Sequence, residues 1–231
     1  MNQISESEFI EILQDGKRRT TDFMAHLTEY HGGPIKTEYI LTADIARAFL
    51  AKGHEVRVEK INRHLVNVLT KRKGWKPRRK LGAQRSDIAV TNSDLFPLAL
   101  VEVKIGVGKS ISKIRKDLEK MANVIESLQP KYAAQVRAAS VFQVHVAGGA
   151  KDITVERLKQ KVDKIEKAIS KELKEFQRDW PDFTFSLNPL MSAHEGFVPT
   201  AIEIEDDGSK ALGENGHATR YYAVIVGFHG R

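Results

Sequence analysis

Leu98-Ala99-Leu100-Val101-Glu102-Val103-Lys104-Ile105 is apolar over eight residues except for two opposite charges near one end. Side chains two apart in a strand share a face, so Glu102 and Lys104 emerge side by side while Val101, Val103 and Ile105 pack behind them. A strand this hydrophobic is expected to be buried on both faces, where an unpaired charge is costly. The upstream run Gln84-Arg85-Ser86-Asp87-Ile88-Ala89-Val90-Thr91 repeats the pattern, with Asp87 interrupting an apolar strand. Only the Asn92-Ser93-Asp94 turn and a few residues separate the two runs, which predicts a hairpin that brings Asp87 beside Glu102.

Working outward, residues 5 to 29 carry a mixed helical pattern interrupted by Asp15-Gly16, and His31-Gly32-Gly33-Pro34 then breaks the chain, which predicts an N-terminal helical pair. A helix starts at Thr37, with Leu41, Ile45, Ala48 and Phe49 on one stripe and Gly53 as its stop. Residues 55 to 59 alternate as a strand, and a short helix through Leu65, Val68 and Leu69 can follow. After Gly106 and Gly108 a helix over 110–128 presents Ile111, Ile114, Leu118, Met121, Ile125 and Leu128, and Pro130 stops it. A strand at 141–146 precedes a helix at 154–178 whose stripe is Leu158, Val162, Ile165, Ile169, Leu173 and Phe176. Strands at 183–187, 197–205 and 221–228 complete the chain. The expected class is α/β (α+β), one domain with a central mixed sheet flanked by helices. It divides into an N-terminal helical segment at 1–33, a core at 36–150 and a helix and β-hairpin extension at 151–231.

The 231 residues are 41% hydrophobic and 29% charged, an ordinary globular composition. No apolar run reaches the roughly 18 residues that span a bilayer, and Met1 to Ile10 has no basic flank leading into an apolar stretch, so no membrane partner and a cytoplasmic location are expected. The absence of cysteine excludes disulfides, thiolate metal sites and cysteine nucleophiles. The net charge of +7 has a single source: residues 71 to 80 hold seven of the 37 lysines and arginines and no acid, and without them 30 bases face 30 acids. Such a patch is the footprint of a phosphate-backbone binder, although a solvated loop gives the same pattern. Lys71, Arg72, Lys73, Lys76, Arg78, Arg79 and Lys80 are the candidate phosphate contacts, with Trp75 among them able to stack on a base or sugar.

Two carboxylates and a lysine converging at a strand end suit a hard divalent cation, because Mg²⁺ takes one or two protein carboxylates together with phosphate oxygens and water. A lysine there can hold the scissile phosphate or orient the attacking water. The simpler alternative is a salt bridge between Glu102 and Lys104. Glu38 lies seven residues before Ile45 and eleven before Phe49, on the apolar stripe of its helix and so facing the core. An acid in a first helical turn also complements the helix dipole, and that alternative stands beside the functional one.

These elements resemble the PD-(D/E)XK, or restriction-endonuclease-like, nuclease superfamily. The matching features are a helical Glu38, a strand Asp87 and, fifteen residues later, the unit Glu102-Val103-Lys104 at a strand end, followed by a basic amphipathic helix. The resemblance covers about residues 36 to 147, with Ser86 where the eponymous motif has proline. It implies Asp87, Glu102 and Val103 as the Mg²⁺-binding positions, with Mn²⁺ able to substitute. It further implies that Lys104 serves the attacking water and that Glu38 assists. The activity implied is endonucleolytic hydrolysis of DNA to 5′-phosphate and 3′-hydroxyl ends. A restriction-like homodimer is expected, because double-strand cleavage needs two sites and one chain carries one. A structure-selective repair or mobile-element nuclease, or a non-catalytic nucleic-acid-binding protein, are the alternatives.

Ile105-Gly106-Val107-Gly108-Lys109-Ser110 resembles the end of a phosphate-binding loop, but the pattern needs a glycine where Val103 stands. Lys109 and Ser110 are instead helix-entry residues near the DNA, with Lys109 a candidate DNA contact, or a simple cap. The histidines at 26, 31, 54, 64, 145, 194, 217 and 229 form no pair on one helix face. Of Tyr221 and Tyr222, one ring is expected in the core, and Glu203 and Glu205 are expected on a solvated strand face.

Overall fold

The computed structural model describes residues 3–30, 37–66, 84–148, 154–199, 202–204, 210–212 and 216–230. The basic segment 71 to 80 lies outside the described residues, and so does the second half of the expected helix through Val68 and Leu69. The architecture is mixed α/β: a seven-stranded, mostly antiparallel open sheet carries helices α1 (Glu6–Tyr30), α2 (Thr37–Ala51), α3 (Ser112–Glu126), α4 (Pro130–Ala133) and α5 (Val155–Arg178). No helix among the described residues is long and apolar enough to cross a membrane.

The expected hairpin forms from β2 (Arg85–Thr91) and β3 (Pro97–Lys104), antiparallel with Ile88 opposite Val101 and Ala89 opposite Leu100. Its turn is organised by Asn92, whose side-chain oxygen accepts from the amides of Asp94 and Phe96. On the outer side β2 pairs with β1 (Glu55–Ile61). On the inner side β3 runs parallel to β4 (Arg137–Ala147), and α3 with α4 makes the crossover that a parallel pair requires. Pro130, expected only to stop α3, also starts the single turn of α4, where its missing amide hydrogen costs nothing.

The β-rich tail is not appended to this core. The long strand β9 (His217–Phe228) lies between β4 and β5 (Phe183–Pro189), antiparallel to both, so the sheet order is β1-β2-β3-β4-β9-β5. The expected strand at 197–205 is split. Its first part, β6 (Phe197–Val198), pairs with β9, whereas β7 (Ile202–Ile204) forms a separate two-stranded ribbon with β8 (Lys210–Leu212). The side chain of Glu203 and all of Glu205 lie outside the described residues.

The helical stripes behave as their spacing requires. All six stripe residues of α5 are buried, as are Ile111, Ile114, Leu118, Met121, Ile125 and Leu128 along α3; each such side chain stabilises the fold by roughly 1.5–3 kcal/mol. The expected N-terminal helical pair is instead one helix, because Gly16 serves packing rather than a break. A Cβ at Gly16 would lie 2.7 Å from the Ile45 Cα of α2, so the missing side chain lets the two helices touch. Asp15 is held on the solvent side by Arg18 and Arg19, and Thr20 donates to the buried Asp44 at 3.0 Å. Gly53, at φ +82, ends α2 in the left-handed conformation that a side chain would resist.

Candidate active site

Continuing the β2–β3 register by one step sets Asp87 opposite Glu102, and directly opposed residues carry their Cβ atoms about 5 Å apart on the same face. Asp87 Oδ2 accepts the Val103 amide hydrogen bond at 2.8 Å, which fixes the carboxylate against the β3 backbone. Glu102 is fully buried, and its Oε2 accepts from Lys120 of α3 at 2.5 Å. Lys104 ends β3, where its Nζ donates to the Val103 carbonyl at 3.0 Å and to Glu38 Oε1 at 3.4 Å, with Asp117 of α3 at 3.8 Å. Glu38, Asp87, Glu102 and Lys104, singled out from three separate stretches, therefore meet at the C-terminal end of β3.

Glu102 and Lys104 do not pair with each other. Both instead reach α3, which contributes two residues not foreseen in the sequence. Asp117 is buried between Lys104 and Lys120, 3.5 Å from the latter, and Lys120 also donates to the Arg85 carbonyl at 2.7 Å. Asp117 lies three residues after Ile114 and four before Met121, on the apolar stripe of its helix. An acid on such a stripe is the same signal that marked Glu38, and it could have been read.

Burial sets the protonation of the group. Desolvation pushes the Glu102 carboxyl up from 4.5 to about 8; Lys120 opposes this, while Asp87 and Asp117 add to it. A neutral carboxyl keeps its contact with Lys120, because Oε2 still accepts. Asp117 is likewise raised, by burial first, against the pull of Lys120 and Lys104. For Lys104, burial alone would lower the pKa, but Asp117, Asp87, Glu38 and Glu102 together outweigh it and the ammonium is held more firmly than usual. Glu102 Oε1, Asp117 Oδ2 and the hydroxyl of Ser140, which faces Glu102 across the β3–β4 register, are buried without a hydrogen-bond partner. Buried polar groups are rarely left unmatched, and Glu102 Oε1 is an oxygen that a further donor or a cation could satisfy.

The donor set suits Mg²⁺: two carboxylates and one backbone carbonyl are hard oxygen ligands, and the remaining positions can stay with water. Among the described residues no three acidic or histidine side chains gather into a metal cluster by themselves. His145 and His217, far apart in sequence, bring their rings to 5.7 Å, and His145 bonds Thr219. Lys109 is exposed, at the entrance to α3. Ser110 accepts from the Ser112 amide, and its hydroxyl donates to Glu172 of α5, which also receives the Ile111 amide. Tyr221 and Tyr222 are both buried: Tyr221 receives a bond from Gln143 and Tyr222 donates to Glu166. Lys71, Arg72, Lys73, Trp75, Lys76, Arg78, Arg79 and Lys80 lie outside the described residues.

The chain matches no family model, no curated protein and no solved structure.

Proposed function

We propose that this chain is a metal-dependent DNA endonuclease of the PD-(D/E)XK type, with residues 36 to 150 as its restriction-endonuclease-like core. The observation that carries this function is the meeting of Glu38, Asp87, Glu102 and Lys104 at one strand end, tied together by the Asp87–Val103 and Lys104–Glu38 bonds. Asp87, Glu102 and the Val103 carbonyl would hold Mg²⁺ or Mn²⁺, which supplies Lewis-acid charge at a phosphoryl oxygen.

The chain's own groups have separable tasks. Lys104 stays protonated through the neutral range, so it works as a fixed positive charge that orients the attacking water or a phosphate oxygen rather than as a base. Glu38 and Asp117 aim that ammonium from α2 and α3. Asp87 keeps its orientation without a flexible tether, because its other partner is a strand amide. The basic run 71 to 80, together with Lys109, supplies the phosphate-backbone attraction, and a homodimer would provide two sites for double-strand cleavage. The products are a 5′-phosphate and a 3′-hydroxyl.

The rival function is a non-catalytic nucleic-acid binder, favoured by one observation: Glu102 with Lys120, and Lys104 with Glu38, already form ion pairs without a metal. Cleavage of plasmid, linear duplex and single-stranded DNA with and without Mg²⁺ separates the two. The nuclease cuts only with the ion and loses cutting, but not DNA binding, on Asp87→Ala. A binder is indifferent to the ion and is weakened chiefly by changes in 71 to 80.

A further inference from the structure

Two ammonium groups already sit on oxygens that a divalent ion would use. Lys120 Nζ lies 2.5 Å from Glu102 Oε2, and Lys104 Nζ lies 3.0 Å from the Val103 carbonyl. Their situations differ. Lys104 is partly exposed at the strand end and keeps Glu38 and Asp117 as partners if the Val103 carbonyl is taken. Lys120 is mostly buried, and among the described residues its other polar contacts are the Arg85 carbonyl and Asp117. It is the close countercharge to a fully buried carboxyl that also feels Asp87 and Asp117. Meanwhile, among the described residues, Glu102 Oε1 has no hydrogen-bond partner, and Asp117 Oδ2 has none beyond its 3.8 Å approach to the Lys104 ammonium.

We infer that Lys120 is the resident counter-ion of Glu102, standing in the ion-free protein where a divalent cation takes over, and that ion binding displaces its ammonium. The inference rests on the metal-dependent function proposed above. Coulomb repulsion scales with charge, so the Lys120 ammonium opposes a divalent ion twice as strongly as it opposes a proton at the same oxygen. Replacing it by a neutral side chain of similar length therefore shifts the competition for Glu102 toward the ion. Lys120 is in these terms a positioning residue: it holds Glu102 in place for the ion and tunes how tightly the ion is held.

The test is Mn²⁺ binding by isothermal titration calorimetry to the wild type, Lys120→Met and Asp87→Ala, repeated over several pH values so that proton competition at Glu102, which loss of Lys120 strengthens, is separated from the affinity of the ionised carboxyl for the ion. Lys120→Met is expected to bind Mn²⁺ about tenfold or more tightly than the wild type, Lys120→Arg to return to the wild-type value, and Asp87→Ala to lose binding. Equal or weaker binding by folded Lys120→Met, with Asp87-dependent binding intact in the wild type, overturns the counter-ion role and leaves the metal site standing. No Asp87-dependent binding in any form overturns both. Should circular dichroism show Lys120→Met unfolded, Mg²⁺ titration of the wild type followed by ¹⁵Nζ lysine resonances decides. Loss of the Lys120 hydrogen-bonded ammonium signal on saturation supports displacement, and an unchanged signal refutes it.

Discussion

Asp15 on α1 and Glu102 on β3 are both held at bonding distance by basic side chains, yet they titrate in opposite directions. Asp15 is gripped by Arg18 at 2.6 Å and Arg19 at 2.9 Å, and those bonds, Arg19's first, hold its carboxyl below the usual range. Glu102 has Lys120 at 2.5 Å and is nevertheless raised to about 8. The difference is solvent and company. Asp15 is partly open to water and meets two cations, whereas Glu102 is enclosed and has two further carboxyls beside it. A short ion pair thus says little about charge state until the desolvation of its members is known.

The largest expected contrast is in activity. Asp87→Ala and Lys104→Ala each lower Mg²⁺-dependent DNA cleavage by roughly a thousandfold, while Arg19→Ala leaves the rate unaltered, as read in a plasmid-nicking assay. Equal loss at the α1 pair would dissolve the distinction between a surface ion pair and a site. Next comes stability. At about pH 9, where the wild-type Glu102 is ionised, Lys120→Ala removes its countercharge, pushes the carboxyl still further up and costs up to about 3–5 kcal/mol in urea denaturation. At about pH 6 the carboxyl already carries a proton in the wild type, and the cost shrinks to roughly 1–2 kcal/mol.

The pH profile of stability sharpens the same comparison. Between 4.5 and about 8 the folded protein holds a proton on Glu102 that the unfolded chain has released. This contribution to stability is fully present below 4.5, declines as pH rises toward 8 and is then flat. In chelator, thermal melts of the wild type should lose a few kcal/mol across that window, and Glu102→Gln should flatten the decline. Added Mg²⁺ should offset it by binding the ionised form. Asp15 works the other way, its contribution being present above the unfolded carboxylate pKa and lost as pH falls through the lowered folded value. The smallest effect is Arg19→Ala, expected to cost under about 1 kcal/mol and to fade further in high salt.

Much of the site was legible because it rests on local rules. Strand parity placed Glu102 beside Lys104 and the short turn placed Asp87 against them, while helical spacing put Glu38 on the side of Lys104, half-buried at the strand end rather than in the core. The stripes of α3 and α5 were readable for the same reason. Gly16 was misleading: helix propensity marks glycine as a break, but the close approach of Ile45 makes it necessary. The position of β9 between β4 and β5 left no local trace, since a buried strand has the same apolar run at any place in a sheet.

The sequence by itself determined which residues lie on which face of each strand and helix, because periodicity is a property of the backbone repeat and needs no partner. Only the tertiary structure decided which charges meet. Lys120 finds Glu102, and Asp117 sits between two lysines, because α3 docks over the end of β3. It also decided which of those groups carry charge, since desolvation belongs to the assembled packing around a carboxyl and not to the carboxyl's place in the chain.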